Sequence, residues 1–515
     1  MHKMNKRIKA LIVSAVLAVS AICPIGTFAQ AESTEKAVAD YKNTTLSVEG
    51  FSGKYLLNDG NERTFTTADS GKITLHNDEG IASLYVVFNR LPKPWKLSSE
   101  ETSVQCGENS FLHEFVDVKK QFGKLPKDIT LTFENRTSIS EIYAFSEGEI
   151  PAWVQRWEPP CEKADLILFS GHSDDEQLFF AGTLPYYAGE LGLNVQVVYV
   201  SHHFDTYERP HEQLDGLWTV GVKNYPIISD FPDLYSETYD QAISAYKRKG
   251  YTFDDFSGFF VDQIRRFKPL VAISHDINGE YGHGTHCLAA KALMDASERC
   301  TDETFRPESA KKYGVWEPSK VYLHSYEENQ ITLNWDIPLE KFGGKTAFQM
   351  SQEGYRCHKS QHIFPGLKNW LFGSSNQITK ASQIKTYSPC LFGLYKTTVG
   401  ADVVGGDFFE NVKTYAVQEQ EALQKAEEER LKAEEESRLA AEEESRQAEK
   451  ERLEAEEESR NAEASSIAEE ERIRNENSLL AAIIITSSVV AVIAVVLIVL
   501  VCKSRRGKKP KKRRR

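Results

Sequence analysis

From residue 164 onward, apolar segments of strand length alternate with amphipathic segments of helix length, and this alternation constrains the fold more than any other feature. Strands and helices that alternate in this way form a parallel sheet with helices on both of its faces. The predicted strands are 164–169, 195–201, 226–229 and 270–274, and the predicted helices are 177–191, 212–222, 256–267 and 286–300. We therefore predict an α/β domain that extends over residues 161–412.

Two polar motifs follow two of the predicted strands. The sequence GHSDDE occupies 171–176, and GEYGHGTH occupies 279–286. In an open, Rossmann-like sheet the carboxyl ends of parallel strands lie at one edge, where such folds bind their ligands. The histidines and acids of both motifs are therefore expected to meet. Taken alone, the first motif has a simpler interpretation, in which Ser173 and Asp174 cap the following helix.

The combined motifs contain a ligand set that suits zinc. A catalytic zinc ion takes three nitrogen or oxygen ligands and keeps one position for water. We predict that His172, Asp175 and His286 hold Zn²⁺. Asp174 is then free to take a proton from water whose pKa the metal lowers from 15.7 to about 7. His283 is expected to stabilise a tetrahedral oxyanion or to protonate the leaving amine.

These motifs resemble those of the PIG-L (LmbE-like) family of zinc-dependent N-acetylglucosaminyl deacetylases, whose loop usually reads AHPDDE and whose later motif usually reads HPDH. The resemblance covers about residues 165–300. It implies the same role for each of the five residues and the hydrolysis of an N-acetyl group on a sugar amine. Arg209 and His358 fit family positions more loosely and are the predicted substrate-binding residues.

Three positions depart from the family pattern. Ser173 and Gly284 replace prolines, and Thr285 replaces an aspartate that the resemblance implies should orient and charge His283. Unless Asp276 substitutes for that aspartate, His283 is expected to hold a proton less well and the reaction to be slower.

Upstream of the α/β region, residues 40–150 consist of short segments with alternating apolar residues, separated by turn residues. Examples are 50–55, 72–75, 83–88 and 128–133. This pattern predicts an antiparallel β-sandwich. The closing sequence IYAFSEG resembles the end of a discoidin-like (coagulation-factor C-type) sandwich. The resemblance implies binding of carbohydrate or another surface ligand, with a spacer or packing role as the alternative.

Both ends of the chain have features of membrane targeting. Residues 1–31 combine basic residues, an apolar run and small residues at a cleavage spacing, which indicates a secretory signal peptide. Residues 479–502 are apolar and would form a helix of about 36 Å, long enough to span a bilayer. Ten of the thirteen residues in 503–515 are basic. The positive-inside rule predicts a single-pass protein with this tail in the cytoplasm, in contact with anionic lipid, and the other domains outside.

The charge of the remaining chain argues against a nucleic-acid partner. The signal peptide and the tail carry 14 of the 62 basic residues and none of the 75 acidic residues, which leaves the rest with a net charge of −27. Nucleic-acid binding domains are typically basic. For the tail itself nucleic-acid binding was the alternative, but its position next to an apolar span favours a role in membrane topology.

Residues 416–477 are predicted to form a long charged helix. The sequence AEEESR recurs at 433, 441 and 455, and glutamates stand four residues before arginines, a spacing that stabilises an isolated helix. Leu439, Leu453 and Ile467 repeat every fourteen residues, but Arg446 and Arg460 occupy the heptad positions between them. A solitary helical stalk is therefore favoured over a parallel coiled-coil dimer.

Six cysteines lie between the predicted signal peptide and the apolar span. An even number in an exported protein permits disulfides, although fifteen pairings are possible. The pairings predicted here are Cys106 with Cys161 and Cys357 with Cys390.

The leading hypothesis from the sequence is a membrane-anchored, extracellular, zinc-dependent deacetylase that acts on N-acetylglucosamine-type sugars in a glycan or glycoconjugate. One alternative is a surface adhesion or carbohydrate-binding protein whose deacetylase-like domain is catalytically silent. Another is an enzyme that uses the same metal to hydrolyse a different amide.

Overall fold

A computed structural model of the protein describes residues 43–505. The predicted signal peptide and most of the basic tail lie outside these described residues. The chain divides into two compact units, of which the first ends at Gln418 and the second begins at Glu419.

The secondary structure elements are numbered in chain order. The strands are β1 (Thr45–Glu49), β2 (Thr66–Ala68), β3 (Gly71–His76), β4 (Ser83–Phe88), β5 (Trp95–Ser99), β6 (Thr102–Cys106), β7 (His113–Val116), β8 (Asp128–Phe133), β9 (Thr137–Phe145), β10 (Leu166–Ser170), β11 (Val195–Tyr199), β12 (Ile227–Ile228), β13 (Val271–Ser274), β14 (Lys320–His324), β15 (Gln330–Thr332) and β16 (Leu391–Thr397). The α-helices are α1 (Val118–Phe122), α2 (Arg209–Thr219), α3 (Tyr239–Arg248), α4 (Phe253–Phe267), α5 (Gly284–Arg299), α6 (Pro307–Tyr313), α7 (Ala347–Cys357), α8 (Pro365–Phe372) and α9 (Tyr415–Arg505).

The first nine strands form two antiparallel sheets with the orders β1-β3-β8-β5-β6 and β2-β9-β4-β7. Alternate side chains of each sheet point inward, so that Leu75 and Leu131 of one sheet and Leu84 and Ile142 of the other share one apolar core. The segment 50–55 is not a strand as predicted. A 3-10 helix begins there at Lys54, directly after Gly53, whose φ of 74° breaks the extended backbone.

The other strands form a seven-stranded sheet with the order β12-β11-β10-β13-β14-β16-β15. The first five strands are parallel to one another, and β16 pairs antiparallel with β14 and β15. In β10, Leu166 and Leu168 pack on the side of α2 and α7, whereas Ile167 and Phe169 pack on the side of α4 and α5. The predicted mixed α/β class is therefore confirmed.

The predicted helix at 177–191 is wrong. The chain forms successive turns after Asp174 and then a π-helix, Pro185–Glu190. Gly182 has a φ of +92°, and a Cβ there would lie 2.3 Å from the Trp335 ring, so only glycine fits at this position. This left-handed residue and Pro185, which has no N–H to donate, together prevent a continuous α-helix.

Helix α3 was missed in the sequence, although it has a recognisable start. The hydroxyl of Thr238 caps this helix by accepting a hydrogen bond from the Gln241 N–H at 3.2 Å. A threonine in this position is a standard helix N-terminus signal. The predicted helices at 212–222, 256–267 and 286–300 correspond to α2, α4 and α5.

In the second unit, α9 continues to Arg505 and contains a stretch that is long and apolar enough to cross a membrane. The preceding charged part has ion pairs between successive turns, such as Glu442 with Arg446 at 3.8 Å. Such exposed pairs stabilise a helix by only about 0.3–0.5 kcal/mol each.

The predicted disulfides are wrong for the described cysteines, all of which are free thiols. Burial raises the pKa of both Cys106 and Cys161 to about 12, so these thiols stay protonated and unreactive. Cys357 instead lies 3.5 Å from the Thr219 hydroxyl.

The two antiparallel sheets contact α2 and the segment before β12 through an interface that contains aromatic rings and buried histidines. Phe111 stacks on Tyr225 with ring centroids 4.5 Å apart. Nε2 of His113 lies 2.8 Å from Nδ1 of His211, and the Tyr85 hydroxyl lies 2.7 Å from Nδ1 of His113. Burial lowers the pKa of both histidines, which keeps the pair neutral.

Two carboxylates, Glu62 and Asp215, approach each other and His113 at this interface. Burial and repulsion from Asp215 raise the pKa of Glu62 to about 8, although Lys359 opposes this shift. Burial likewise raises the pKa of Asp215 to about 7, with a further contribution from Glu212. The interface is therefore more stable when these carboxyl groups keep their protons.

We predict that Asp215→Asn stabilises the protein in a pH-dependent way. An aspartate with a pKa near 3.9 in the unfolded chain and about 7 in the folded chain costs stability as the pH rises between these values. The variant should unfold at a temperature a few degrees above that of the wild type at pH 8, given about 2–4 °C per kcal/mol, and at the same temperature near pH 4. Thermal unfolding followed by circular dichroism measures this difference. The exposed Asp69→Asn variant is the control, and a gain that does not vary with pH would contradict the prediction.

Candidate metal centre

The loop that follows β10 packs tightly against the loop that follows β13. A Cβ on Gly171 would lie 3.0 Å from the His286 ring and 3.1 Å from Asp175 Oδ2, which explains a glycine at this position. The Gly171 N–H donates a hydrogen bond to Nε2 of His275 at 2.8 Å. Since β10 and β13 are neighbouring parallel strands, this bond joins the two loops where the strands end.

The three predicted metal ligands face one another in the structure. Asp175 Oδ2 lies 3.0 Å from Nδ1 of His172 and 3.1 Å from Nε2 of His286, and these two nitrogens are 3.2 Å apart. Ligand atoms around a tetrahedral ion with bonds of about 2.0–2.1 Å lie about 3.3 Å apart. The spacing and the His₂Asp composition of this donor set therefore fit a zinc-sized ion.

His275 also lies in a group that could hold a metal, together with Asp175 and His286. However, its Nδ1 lies 2.8 Å from Glu280 Oε2, and its Nε2 already accepts the hydrogen bond from Gly171. A histidine whose two nitrogens are both engaged in this way has no lone pair for a metal. His275 therefore supports the site rather than binding the ion.

Glu280 is completely buried and connects three histidines. Its Oε2 lies 2.8 Å from Nδ1 of both His275 and His286, and its Oε1 lies 2.6 Å from Nδ1 of His324. Burial alone would raise the pKa of Glu280, but the charge and hydrogen bonds of these histidines hold the pKa well below its usual range. A proton held on Nδ1 of His286 leaves its Nε2 lone pair directed at the other two ligands.

The other histidine of the predicted ligand set, His172, also has a carboxylate neighbour. Asp233 Oδ1 lies 3.5 Å from Nε2 of His172, and its Oδ2 lies 3.4 Å from Nδ1 of His203. His203 in turn accepts a hydrogen bond from the Ser173 N–H at 3.3 Å. Asp233 and His203 therefore brace the first loop from the side of β11.

Asp174 is buried beside the ligands in a strained backbone conformation. Its φ of 151° is rarely adopted by residues other than glycine. Its N–H donates to Glu176 Oε2 at 2.9 Å, and its Oδ1 lies 3.5 Å from Nη2 of Arg209. Burial raises the pKa of Asp174 to about 6, with Arg209 opposing the shift and Asp175 adding to it.

His283 has no carboxylate partner among the described residues. Its Nδ1 accepts a hydrogen bond from the Thr285 N–H at 3.3 Å, whereas Asp276 accepts one from the Asn278 N–H instead. Asp276 therefore does not substitute for the aspartate expected at 285. Burial, together with His172 and His286, lowers the pKa of His283 to about 2. The neutral ring then carries its proton on Nε2, which is the form that donates a hydrogen bond to an oxygen atom.

The two predicted substrate-binding residues lie in different surroundings. Arg209 lines the cavity at the metal centre, and its guanidinium donates to the Ser173 carbonyl at 2.8 Å. His358 is completely buried and is not among the cavity-lining residues, with its Nε2 lying 3.3 Å from Glu176 Oε1. The following residues Lys359, Ser360 and Gln361 line the cavity instead.

A cavity of about 1190 Å³ opens onto the metal centre. His172, Asp174, Asp175 and His283 contribute to its wall, whereas His286 lies behind them and is completely buried. The other lining residues are largely aromatic or charged: Arg63, Phe179, Glu208, Arg209, Asp233, Tyr235, Tyr281, Lys359, Phe364, Trp370 and Tyr387.

Sequence reasoning assigned no role to Glu280 and no specific contact to Asp233, His203 or His324. Glu280 lies within the second motif, so an acid beside predicted ligands was the available signal. The other three depend on contacts between segments that are distant in the chain, such as the 44 residues between Glu280 and His324. These contacts have no local sequence signature.

Comparison with known proteins identifies relatives of part of the chain. A search against models of known protein families found no match to the chain. A 1D-myo-inositol 2-acetamido-2-deoxy-alpha-D-glucopyranoside deacetylase 1 of Catenulispora acidiphila is 33% identical over 177 residues, which are 33% of this chain and 53% of that protein. The chain thus spans about half the length of this relative. The corresponding deacetylase of Streptomyces avermitilis is 26% identical over 209 residues, 35% of this chain and 70% of that enzyme.

Among solved structures, the chain is similar to the N,N'-diacetylchitobiose deacetylase of Pyrococcus horikoshii. The two share 15% sequence identity with a TM-score of 0.31, and the match covers 46% of this chain and 86% of that one.

We predict that Glu280→Gln weakens binding of a divalent metal. The amide carries no negative charge, and it presents an oxygen acceptor at only one of the two positions that face His275, His286 and His324. Loss of such outer partners typically reduces metal affinity by about 10- to 100-fold. Competition with a chromogenic chelator measures this affinity. Glu208→Gln, which alters the cavity wall without contacting these histidines, is the control, and equal affinities for the two variants would contradict the prediction.

Proposed function

We propose that the protein is a zinc-dependent deacetylase that hydrolyses the N-acetyl group of N-acetylglucosamine-type sugars in a glycan or glycoconjugate. The observation that carries the proposal is the triangle of His172, Asp175 and His286 beside the buried Asp174, at the wall of a large cavity. The relatives support the substrate class, because they are named as deacetylases of an acetamido sugar linked to inositol.

Zinc held by His172, Asp175 and His286 would supply Lewis acidity, which makes hydroxide available near neutral pH. Asp174 is suited to accept the proton of the attacking water, because its strained backbone holds the carboxylate at the cavity wall. The water oxygen then bonds to the amide carbon, the C–N bond breaks, and the proton passes from Asp174 to the departing amine, which yields acetate and the free amino sugar.

His283 has a narrower role in this proposal than the sequence alone allowed. With Nδ1 accepting from the Thr285 N–H, the ring can donate from Nε2 to the carbonyl oxygen as negative charge develops there. The lack of a carboxylate partner among the described residues makes it a poor proton donor to the amine. Asp174 is therefore left as the group that transfers the proton.

We further propose that the enzyme is anchored by residues 479–502 with its first unit outside the cell. The apolar part of α9 and the basic residues that follow it in the sequence support a single span with a cytoplasmic tail. The signal-like sequence at 1–31 supports export.

We predict that Asp174→Asn nearly abolishes acetate release and leaves the metal in place. Removal of a general base typically lowers kcat by about 10²- to 10⁴-fold. The metal should remain because Asp174 is not one of the three proposed ligand residues. The measurement is acetate released by the full-length protein in detergent from chito-oligosaccharides and peptidoglycan fragments, together with its zinc content.

The matched variant His286→Ala should lose both metal and activity, because it removes a ligand. The proposal fails if the wild type binds no zinc, or if His286→Ala releases acetate as fast as the wild type.

A further inference from the structure

Arg63 belongs to the β-sandwich but lines the same cavity as the metal centre. It lies in the turn between the 3-10 helix Lys54–Leu57 and β2. The cavity wall is therefore built from two parts of the chain that are more than 100 residues apart. Neither the zinc ligands nor the proton transfer described above requires this contribution.

The turn that carries Arg63 is held by a set of hydrogen bonds. Asp59 accepts from the Asn61 N–H at 2.9 Å and from the Thr64 hydroxyl at 2.7 Å. The Asn61 N–H also donates to Glu141 on β9 at 2.9 Å, and the Asn61 side chain accepts from the Arg63 N–H at 3.2 Å. A turn fixed in this way has already lost its conformational freedom, which lowers the cost of using it to bind a ligand.

Two sandwich residues that lie outside this set of hydrogen bonds, Phe65 and Arg90, contact the segment 206–208 of the cavity wall. The Phe65 ring packs edge-on against Tyr207 with centroids 5.1 Å apart, and the guanidinium of Arg90 lies 4.8 Å above the same ring. Tyr207 stands between Thr206 and Glu208, which both line the cavity. The position of Arg63 relative to the metal centre is therefore set by packing.

The Arg63 side chain is exposed and forms no ion pair or hydrogen bond within residues 43–505. Lys359, the neighbouring cation of the cavity wall, also has no ion pair in the described part of the chain, although its charge acts on Glu62 and Asp215. Arg209 differs from both, since its guanidinium donates a hydrogen bond to the Ser173 carbonyl. The cavity wall therefore holds two cations without an ion pair in the described residues, together with the acids Asp174, Asp175, Glu208 and Asp233. These two cations can bind a ligand group with negative charge.

The dimensions and lining of the cavity indicate an extended ligand. Its volume of about 1190 Å³ exceeds the roughly 300–1,000 Å³ of pockets for drug-sized molecules. Tyr281, Phe364 and Trp370 contribute flat apolar surface, and the first two are about half exposed. Such surfaces suit the apolar faces of several successive sugar rings.

We propose that Arg63 and Lys359 form an anion subsite, and that the preferred substrate is an oligosaccharide that carries carboxylate or phosphate groups near the acetylated sugar. This proposal rests on the deacetylase function proposed above and specifies its substrate class. Arg63 acts as a specificity-determining residue that binds the anionic group and takes no part in the proton transfer.

The test compares three full-length proteins in detergent: the wild type, Arg63→Ala and Arg63→Lys. Arg136→Ala is the matched control, since Arg136 is an exposed sandwich arginine paired with Asp69 that does not line the cavity. Each protein is assayed for acetate release from three glycans of equal length. These are a neutral chito-oligosaccharide, an oligosaccharide of alternating N-acetylglucosamine and glucuronate, and a chito-oligosaccharide phosphorylated on its 6-hydroxyls.

We expect the wild type to have a lower KM for at least one anionic glycan than for the neutral one, and added salt should reduce this preference. Arg63→Ala should raise the KM for that glycan about two- to five-fold, as expected for an exposed charge pair. Its kcat, and both constants for the neutral glycan, should stay unchanged, and Arg63→Lys should restore part of the loss. If the KM changes for the glucuronate-containing glycan, the subsite recognises carboxylate, and if it changes for the phosphorylated glycan, the subsite recognises phosphate.

Equal KM values for neutral and anionic glycans in the wild type, or an equal effect of Arg63→Ala on all three, would overturn the proposal. Binding of the same glycans by isothermal titration calorimetry separates this failure from that of the proposed function. If no glycan is deacetylated but Arg63→Ala still loses binding of the anionic glycan alone, the deacetylase function fails and the anion subsite stands. If binding does not depend on Arg63, the subsite fails whether or not acetate is released.

Discussion

The buried carboxylate of Glu280 is the interaction on which the metal centre depends. Removing a carboxylate from water costs several kcal/mol unless hydrogen bonds and opposite charge compensate for the loss. Here the compensation comes from His275 at the end of β13, His286 in α5 and His324 at the end of β14. One residue therefore fixes three separate elements, and the direction of the His286 lone pair follows from that arrangement.

The first loop obtains its geometry from backbone constraints. Gly171 allows the loop to pass within van der Waals contact of His286 and Asp175. At the unusual φ of Asp174, its carboxylate lies beside Arg209, whereas that of Asp175 faces His172 and His286. A strained residue persists only where its surroundings compensate for the strain. The hydrogen bonds from Gly171 to His275 and from Asp174 to Glu176 are part of that compensation.

The sequence allowed a correct prediction of those features that have a local pattern. The alternation of apolar segments located β10, β11 and β13, and the two polar motifs contained the residues that now face one another. Helix prediction failed at 177–191, because Gly182 and Pro185 prevented a regular helix within an otherwise suitable apolar run. Contacts between distant segments, such as that of His324 with Glu280, could not be derived from spacing along the chain.

Arg63 is another residue whose position at the cavity could not be derived from spacing along the chain. It also lies close to the polar interface between the sandwich and the α/β part of the chain. Half-buried carboxyl groups and buried histidines make that interface less stable than an apolar one would be, since burial disfavours the ionised forms of Glu62 and Asp215. Lys359 interacts electrostatically with both Glu62 and Asp215, and Arg63 directly follows Glu62 in the sequence. A charge on Glu62 or Asp215 would interact with Lys359 at the cavity wall, an interaction that an apolar interface of equal area would lack. The stability lost at the interface and the selectivity proposed for the cavity are therefore two consequences of one arrangement of residues.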